Sequence, residues 1–184
     1  LGEQSGILDI DLDCREAKAL SDIMLPEAIA VFDRGSADSG HYLFRASSFG
    51  PRKTFNSEGV KSTLVELRGD GSQTMIPPSV HPNGEALVFT SSNLKAPEVR
   101  YEDLLKSVNL LAACSEIAQN WREGHRHDLA LAFAGLCLKQ DVEHNLVTQI
   151  VQRICDINGD LDVDDRLNAI RTSYAQPADS LLGY

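Results

Sequence analysis

The chain reads GILDIDLDCREA at residues 6–17, a run in which aliphatic and acidic residues alternate. Successive side chains point to opposite faces of a strand, so the run predicts a strand at Ile7–Asp11 with Asp9, Asp11 and the following Asp13 on one face. Stacked carboxylates repel each other unless a cation neutralises them, and Mg²⁺ or Mn²⁺ prefers oxygen ligands. The run therefore indicates a divalent-metal site, with an exposed, charged strand edge as the alternative.

Residues 1–96 are interpreted as one domain of short strands separated by turns. A helix is predicted at Arg15–Met24, where apolar residues recur at helical spacing. Gly69–Gly71 and Asn83-Gly84 predict hairpin-type turns, because Gly and Asn adopt positive φ at low cost. The predicted strands are Ile7–Asp11, Ile29–Phe32, His41–Arg45, Leu64–Leu67, Gln73–Ile76 and Ala86–Thr90.

Residues 97–184 are interpreted as a second domain, a compact bundle of four helices joined to the first domain by a linker at Ser91–Pro97. Apolar stripes at helical spacing support this reading. Leu129–Leu138 is almost wholly apolar and small, so we expect it to be the buried central helix. The predicted fold class is α+β: a mixed-sheet core followed by a small all-α bundle.

The charge balance restricts the partners of the protein. The 184 residues include 17 Lys and Arg against 27 Asp and Glu, a formal net charge of −10. This balance disfavours non-specific DNA binding through a broad positive surface. No run of 18 apolar residues occurs, so we predict no membrane partner, and without a secretory leader we expect a cytoplasmic protein.

The cysteines argue against a zinc site. Cys14, Cys114, Cys137 and Cys155 lie far apart, and no CxxC pair occurs. The last three lie among apolar residues, so we interpret them as core residues of a reduced, cytosolic protein. Since the predicted strand begins almost directly after Leu1, we expect the chain to be a fragment.

A second polar cluster surrounds the segment SGHYLFR at residues 39–45. Its apolar run predicts a central strand that begins at His41. His41 is placed to donate to a phosphate oxygen, and Arg34 and Arg45 would add charge-assisted hydrogen bonds. The alternative is that His41 is a capping or core histidine.

A third cluster combines LVELRGDG at residues 64–71 with PPSVHPNG at residues 77–84. Glu66 lies between two aliphatic residues of a predicted strand, where a carboxylate is costly without a partner or a metal. Arg68 is the partner under the alternative interpretation. The rigid Pro77-Pro78 pair would hold Ser79 and His81 toward the same site.

The helical half contains one dense positive group, in WREGHRHD at residues 121–128. Arg122, Arg126 and His127 precede an apolar helix, and helix N-termini bind anions, so a site for template or nucleotide phosphate is predicted here. The alternative is that Asp128 caps the helix and Trp121 packs against the bundle.

Three segments, in order and spacing, resemble the archaeo-eukaryotic primase superfamily, and within it the primase-polymerases of plasmids and phages. They contain an Asp-x-Asp pair, a Ser-x-His at the start of a second strand and a carboxylate in a third strand. The segments are GILDIDLDCREA, FDRGSADSGHYLFR and LVELRGDGSQTMIPPSVHPNGEA. Residues 121–136 and 160–174 also resemble the helix-bundle segment that follows the catalytic domain in that branch.

This resemblance implies an RRM-like catalytic core and assigns roles to the residues above. Asp9, Asp11 and Glu66 would hold two Mg²⁺ or Mn²⁺ ions, with Asp13 allowing a one-step shift of the pair. His41 would contact the triphosphate of the incoming nucleotide, and Ser79 and His81 would line the same cleft. Family members usually carry further elements before the first of these strands, and the zinc-binding insert of some relatives is absent here.

The function expected is that of a template-dependent DNA primase and polymerase, a nucleotidyltransferase of plasmid or phage replication. Its partners would be a single-stranded DNA template and nucleoside triphosphates, and by family analogy a helicase domain would follow in the full-length protein. The alternatives are a non-catalytic fragment that binds template or nucleotide, and a metal-dependent phosphohydrolase.

Overall fold

A computed structural model describes residues 1–35, 38–59 and 62–176. Within these ranges the chain forms six strands and five helices, which confirms the α+β class. The strands are β1 (Ile7–Leu12), β2 (Ala30–Asp33), β3 (Gly40–Arg45), β4 (Lys53–Asn56), β5 (Thr63–Arg68) and β6 (Val88–Ser92). The helices are α1 (Arg15–Met24), α2 (Tyr101–Gln119), α3 (Arg126–Lys139), α4 (His144–Asn158) and α5 (Val163–Tyr174).

The strands form one sheet in the order β4-β5-β1-β3-β2-β6, and neighbouring strands in it run antiparallel. Parallel pairing occurs only at isolated bridges among the described residues, Ala46 with Val99 and Pro51 with Asp70. The acidic strand β1 lies near the centre of the sheet, between β5 and β3. A central position explains why the polar face of β1 is surrounded by side chains from both neighbouring strands.

One face of β1 belongs to the hydrophobic core. Leu8, Ile10 and Leu12 are fully buried. α1 covers this face, and its Ser21 hydroxyl lies 2.7 Å from the Tyr42 hydroxyl of β3. Because side chains alternate along the strand, packing of the aliphatic residues under α1 places Asp9 and Asp11 on the opposite face.

The predicted elements of the first half agree with the structure except at three places. The predicted strand at Gln73–Ile76 is wrong: these residues form a loop in which Met75 and Ile76 are about half exposed. The strand predicted at Ala86–Thr90 begins and ends two residues later, as β6. β4 was missed because Lys53–Asn56 is a polar, mostly exposed edge strand without an apolar pattern.

The four helices predicted in the second half are present, but the expectation of a buried central helix at Leu129–Leu138 is wrong. α3 buries only the stripe formed by Ala130, Phe133, Ala134 and Cys137, through which it packs on α5 and α4. Leu136 on another side is 54% exposed. A helix that is apolar on every side carries no sequence signal for which stripe will be buried.

The chain forms two compact units, the first ending at Glu116 within α2 and the second beginning at Ile117. The domain boundary predicted between residues 96 and 97 stays a prediction. Cys114, Cys137 and Cys155 are buried, as expected of core cysteines. None of the helices in the described ranges has the length and apolar character needed to cross a membrane.

Candidate active site

A row of side chains crosses all six strands on the sheet face opposite α1. Direct cross-strand pairing places each member opposite the next, and residues paired in this way share a face. The row carries two aromatic rings at the β6 side, an imidazole and two carboxylates in the middle, and a hydroxyl at the β4 edge. Its members are Phe89, Phe32, His41, Asp11, Glu66 and Thr54.

Three carboxylates converge on the guanidinium of Arg68, which follows Glu66 by two residues and therefore lies on the same face of β5. Arg68 Nε donates to Glu66 Oε2 at 2.9 Å, and Nη2 donates to Asp11 Oδ2. Nη1 lies 3.8 Å from Asp9 Oδ2. Asp9, Asp11 and Glu66 are thus brought together, and the three residues are all at least 94% buried.

The surroundings of Asp11 and Glu66 shift the pKa values of these two carboxyls in opposite directions. Burial raises the pKa of Asp11, against the opposing charges of His41 and Arg68. Burial also acts to raise the pKa of Glu66, but hydrogen bonds from its three donors outweigh burial and lower it. Two of those donors are Arg52 and Thr54, the latter with Oγ1 at 3.0 Å from Glu66 Oε1. Glu66 is therefore held ionised among donors.

His41 lies between the two aspartates of β1. Its Nδ1 is 3.1 Å from Asp9 Oδ2, and its Nε2 is 3.5 Å from Asp11 Oδ1. The ring stacks on Phe32 with centroids 4.7 Å apart and planes 10° from parallel. Burial acts to lower the pKa of His41, but the hydrogen bond to Asp9 and the charges of both aspartates outweigh it and raise the pKa. His41 is neither a helix cap nor an apolar core residue.

A cavity of about 280 Å³ opens beside these groups. Asp13 lines it beyond the end of β1, and burial raises the pKa of this carboxyl to about 6. Asp9 and Asp11, not Asp11 and Asp13, are the pair that contacts both Arg68 and His41. The structure thus favours Asp9 and Asp11, rather than Asp11 and Asp13, as the candidate pair.

The structure places only some of the predicted nucleotide-binding residues at the cavity. Arg34 and His81 line the cavity together with His41. Ser79 and Arg45 are not among its lining residues; the Arg45 guanidinium donates to the Leu94 carbonyl at 3.4 Å, and the backbone of Ser79 pairs with Ile76 and Leu87. Arg45 lies four residues from His41 along β3, and a strand rises about 3.4 Å per residue, so the two backbone positions are roughly 14 Å apart.

A divalent cation fits the chemistry of this site. Carboxylate oxygens are the ligands that Mg²⁺ and Mn²⁺ prefer, and the Arg68 guanidinium marks a point where three of them already surround a positive charge. Across residues 1–35, 38–59 and 62–176, no group of three or more Asp, Glu, His or Cys side chains is already arranged to hold a metal. Joint coordination of a cation by Asp9, Asp11 and Glu66 therefore requires a rearrangement of the contacts between these side chains and Arg68.

Two of the three positive residues predicted in the helical half have acidic partners. Arg126 Nη1 lies 3.3 Å from Asp160 Oδ1, and His127 Nδ1 lies 2.7 Å from Asp165 Oδ2. Arg122 is exposed beside a second cavity at the start of α3. A phosphate bound by Arg126 or His127 would compete with these carboxylates, so Arg122 is the residue of the three most accessible to an anion.

The alternative interpretation of this segment is half right. Trp121 is buried, and its Nε1 donates to Asp160 Oδ2 at 3.0 Å. Asp128 does not cap the helix, because α3 begins at Arg126 with His125 at the N-cap and places Asp128 in the first turn. The acidic run at residues 160–165, which follows α4, also has a structural role, because its Asp160 accepts hydrogen bonds from Trp121 and Arg166.

Of the three donors to Glu66, sequence reasoning missed Arg52 and Thr54 and undervalued Arg68. Arg68 was considered only as a partner for Glu66, although it contacts all three carboxylates. Its position two residues after Glu66 was the available signal. Arg52 and Thr54 had no such signal, because they reach Glu66 through β4, a strand that the sequence pattern does not reveal.

Comparison with known proteins bears on residues 1–100, which match a family model described as the N-terminal domain of bifunctional DNA primase/polymerase. The match covers the whole sheet and the cavity beside it, and more than half of the chain. No curated protein and no solved structure matches the chain.

Proposed function

The chain belongs to the bifunctional DNA primase/polymerase N-terminal family, and from this membership we propose that it is a template-dependent nucleotidyltransferase that makes primers in plasmid or phage DNA replication. The observation that carries the proposal is the convergence of Asp9, Asp11 and Glu66 beside a cavity that is lined by arginines and histidines together with further aspartates. Such a cavity suits a triphosphate, whose charge needs positive partners.

In the proposed reaction the 3′ hydroxyl of the primer attacks the α-phosphate of a nucleoside triphosphate, and pyrophosphate leaves. Asp9, Asp11 and Glu66 would hold Mg²⁺ or Mn²⁺, which when bound supplies charge neutralisation at the attacking and leaving oxygens. The buried position of the three carboxylates strengthens their electrostatic effect, because the surrounding dielectric is low.

His41 and Arg34 are the chain's groups for orienting the triphosphate in this proposal. Nδ1 of His41 is engaged by Asp9, and Nε2, the more distant from its carboxylate partner, is the nitrogen assigned to a phosphate oxygen. The stack on Phe32 fixes the plane of the imidazole, so the ring orientation does not depend on the ligand. Arg34 approaches from the rim of the cavity, where its Nη1 lies 3.8 Å from Glu85.

A primer-extension assay with Mn²⁺, a single-stranded DNA template and all nucleotides tests the proposal. The double variant Asp9→Asn/Asp11→Asn should reduce extension about a thousandfold, since metal-assisted charge stabilisation is worth several kcal/mol. The matched control is Asp22→Asn/Glu27→Gln, which removes two exposed carboxylates outside the cavity and should extend primers like the wild type.

The other outcomes separate the alternatives. A folded wild type that binds template and nucleotide but extends no primer would indicate a non-catalytic binding module. Release of phosphate from nucleotides at a rate independent of template would indicate a phosphohydrolase. Extension that survives in Asp9→Asn/Asp11→Asn would refute the assignment of these carboxylates.

A further inference from the structure

Arg68 holds the position that a cation would take in the proposed metal site. Its guanidinium contacts Glu66 at 2.9 Å through Nε, Asp11 through Nη2 and Asp9 at 3.8 Å through Nη1. Arginine presents five donors in a rigid fork, which is why one side chain serves three carboxylates. Among the described residues, only Arg68 forms ion pairs with all three.

The three carboxylates need this positive charge. Asp9 is fully buried, and Asp11 and Glu66 are only 6% and 4% exposed. Buried charges are costly unless they are paired, and neighbouring like charges add repulsion. His41 contacts the two aspartates, and Arg52 contacts Glu66. Arg68 contacts all three carboxylates and so connects the aspartates with Glu66.

The same oxygen atoms serve both partners. Asp11 Oδ2 and Glu66 Oε2 accept hydrogen bonds from Arg68, and a divalent cation would require direct bonds to oxygens of these same groups. A cation shared by all three carboxylates would occupy the space between them, and this is where the Arg68 guanidinium lies. Two positive charges at one place repel each other, so a shared cation competes with the contacts of Arg68.

The cavity offers a position for the Arg68 side chain once it leaves the carboxylates. Arg68 is 22% exposed and lines the cavity, where its Nη1 is already 3.4 Å from the Thr74 hydroxyl. Arg34 and His41 line the same cavity, so a guanidinium released from the carboxylates joins two other cationic groups. A triphosphate is the ligand proposed for this space, and it offers the oxygens that a guanidinium binds in bidentate geometry.

We propose that Arg68 is a built-in competitor of the divalent cations, and that their binding transfers it from the carboxylates to the triphosphate. This inference rests on the proposed function, because it concerns the same metal and nucleotide. It makes the two ligands cooperative: each one favours the position of Arg68 that the other requires. Such coupling is reciprocal, so it is measurable from either ligand.

The first measurement is Mn²⁺ affinity without nucleotide, read from the electron paramagnetic resonance signal of free Mn²⁺. Arg68→Gln should bind Mn²⁺ about tenfold more tightly than the wild type, since charge-assisted hydrogen bonds no longer compete. The matched control is Arg52→Gln, which also removes one positive charge but contacts only Glu66, and it should change the affinity less than about threefold.

The second measurement is the affinity for a non-hydrolysable nucleoside triphosphate at saturating Mn²⁺. Here the sign reverses: Arg68→Gln should bind the nucleotide about tenfold more weakly, because a phosphate ligand is lost. Circular dichroism checks that each variant is folded. Should Arg68→Gln fail to fold, Arg68→Lys replaces it; lysine keeps a point charge without the fork and should bind Mn²⁺ a few-fold more tightly than the wild type.

The outcomes distinguish this inference from the function on which it rests. Suppose that the wild type and the folded Arg68 variant bind Mn²⁺ equally tightly and that Asp9→Asn/Asp11→Asn abolishes this binding. That result overturns the competition while leaving the metal site intact. Absence of Mn²⁺ binding in every variant, or binding that survives Asp9→Asn/Asp11→Asn, overturns the proposed function itself. Tighter Mn²⁺ binding with unchanged nucleotide affinity overturns the transfer of Arg68 to the triphosphate.

Discussion

A single carboxylate, Asp160, neutralises two arginines within the helical unit. Its side chain is fully buried and accepts hydrogen bonds from Trp121 Nε1 and Arg166 Nε, each at 3.0 Å. Arg126 adds an ion pair at 3.3 Å. Burial acts to raise the pKa of Asp160, but the hydrogen bonds from Arg166 and Trp121 outweigh it and lower the pKa. This carboxylate therefore ties the segment before α3 to α5.

Loss of the charge at Asp160 should destabilise the second unit. Asp160→Asn removes the buried partner that Arg126 and Arg166 share. Breaking a buried ion pair typically costs about 3–5 kcal/mol of unfolding free energy, and we expect about 3 kcal/mol here because Arg166 keeps Asp162 and Asp165 as partners. The protein has a single tryptophan, Trp121, so intrinsic fluorescence during urea denaturation reports on this network. Asp156→Asn, an exposed site on α4, is the matched control and should change stability by less than about 0.5 kcal/mol.

The stability difference between the wild type and Asp160→Asn should depend on pH. Since folding lowers the pKa of Asp160, its contribution is fully present above the ordinary aspartate pKa of 3.8 and is lost as the pH falls through the lower folded value. The stability difference between the wild type and Asp160→Asn should thus be constant near neutral pH and shrink below about pH 4. A difference that does not shrink in acid would contradict the lowered pKa.

At the scale of elements, the end of β5 depends on a close approach between two glycines. A Cβ atom at Gly69 would lie 2.1 Å from the Gly50 carbonyl oxygen, and one at Gly50 would lie 2.6 Å from the Tyr101 ring. The Asp70 N–H donates to the same Gly50 carbonyl at 2.9 Å. This contact fixes the loop before β4 against the end of β5, and so it sets the approach of Arg52 to Glu66.

Gly69→Ala should therefore destabilise the first unit. The obstructing atom belongs to the backbone, so relief requires a shift of the loop, and overpacking of this kind costs about 1–3 kcal/mol. Gly59→Ala is the control, because its nearest contact would be an ordinary 3.9 Å from the Ser57 hydroxyl. Urea denaturation followed by circular dichroism measures both; equal midpoints for the two variants would show that the loop yields freely.

The elements that the sequence predicts well are those with a complete pattern. Helix α1 was predicted with the observed bounds, and β1 within one residue, because their apolar spacing agrees with a single buried face. β4 has no such face, and α3 is apolar on several, so pattern alone could not assign them. Elements without one distinct face take their burial from partners that are distant in sequence.

The residues of the candidate site likewise divide into those that the sequence pattern predicts and those that it does not. Asp9, Asp11, His41 and Glu66 share a face because each lies on the polar side of its strand and the strands pair antiparallel. The alternation within each strand is a property of the local sequence, whereas the pairing joins residues that are distant in sequence. Arg45 shares that face but lies too far along β3 to line the cavity, a distance that depends on where the cavity opens. The hydrogen bonds of Arg52 depend on the register of an unpredicted strand.

At the scale of the whole molecule, the net charge of −10 sets what the protein binds without cations. We expect double-stranded DNA to bind more weakly than about 10⁻⁴ M at physiological salt in the presence of a chelator, because phosphate neutralisation dominates non-specific affinity. Fluorescence anisotropy of a labelled duplex measures this. Tighter binding that weakens steeply with salt would reveal a positive surface that the overall charge conceals.

In β1 the residues of the core and the carboxylates of the cavity alternate one by one. Inserting or deleting one amino acid inside Ile7–Leu12 would turn the acids beneath α1 and send the aliphatic side chains outward. Single substitutions in this strand can be tolerated one at a time. An insertion or a deletion would disrupt the hydrophobic core and the carboxylate site together. Descendants of this protein should vary in length in loops that do not line the cavity, while this strand keeps a constant number of residues.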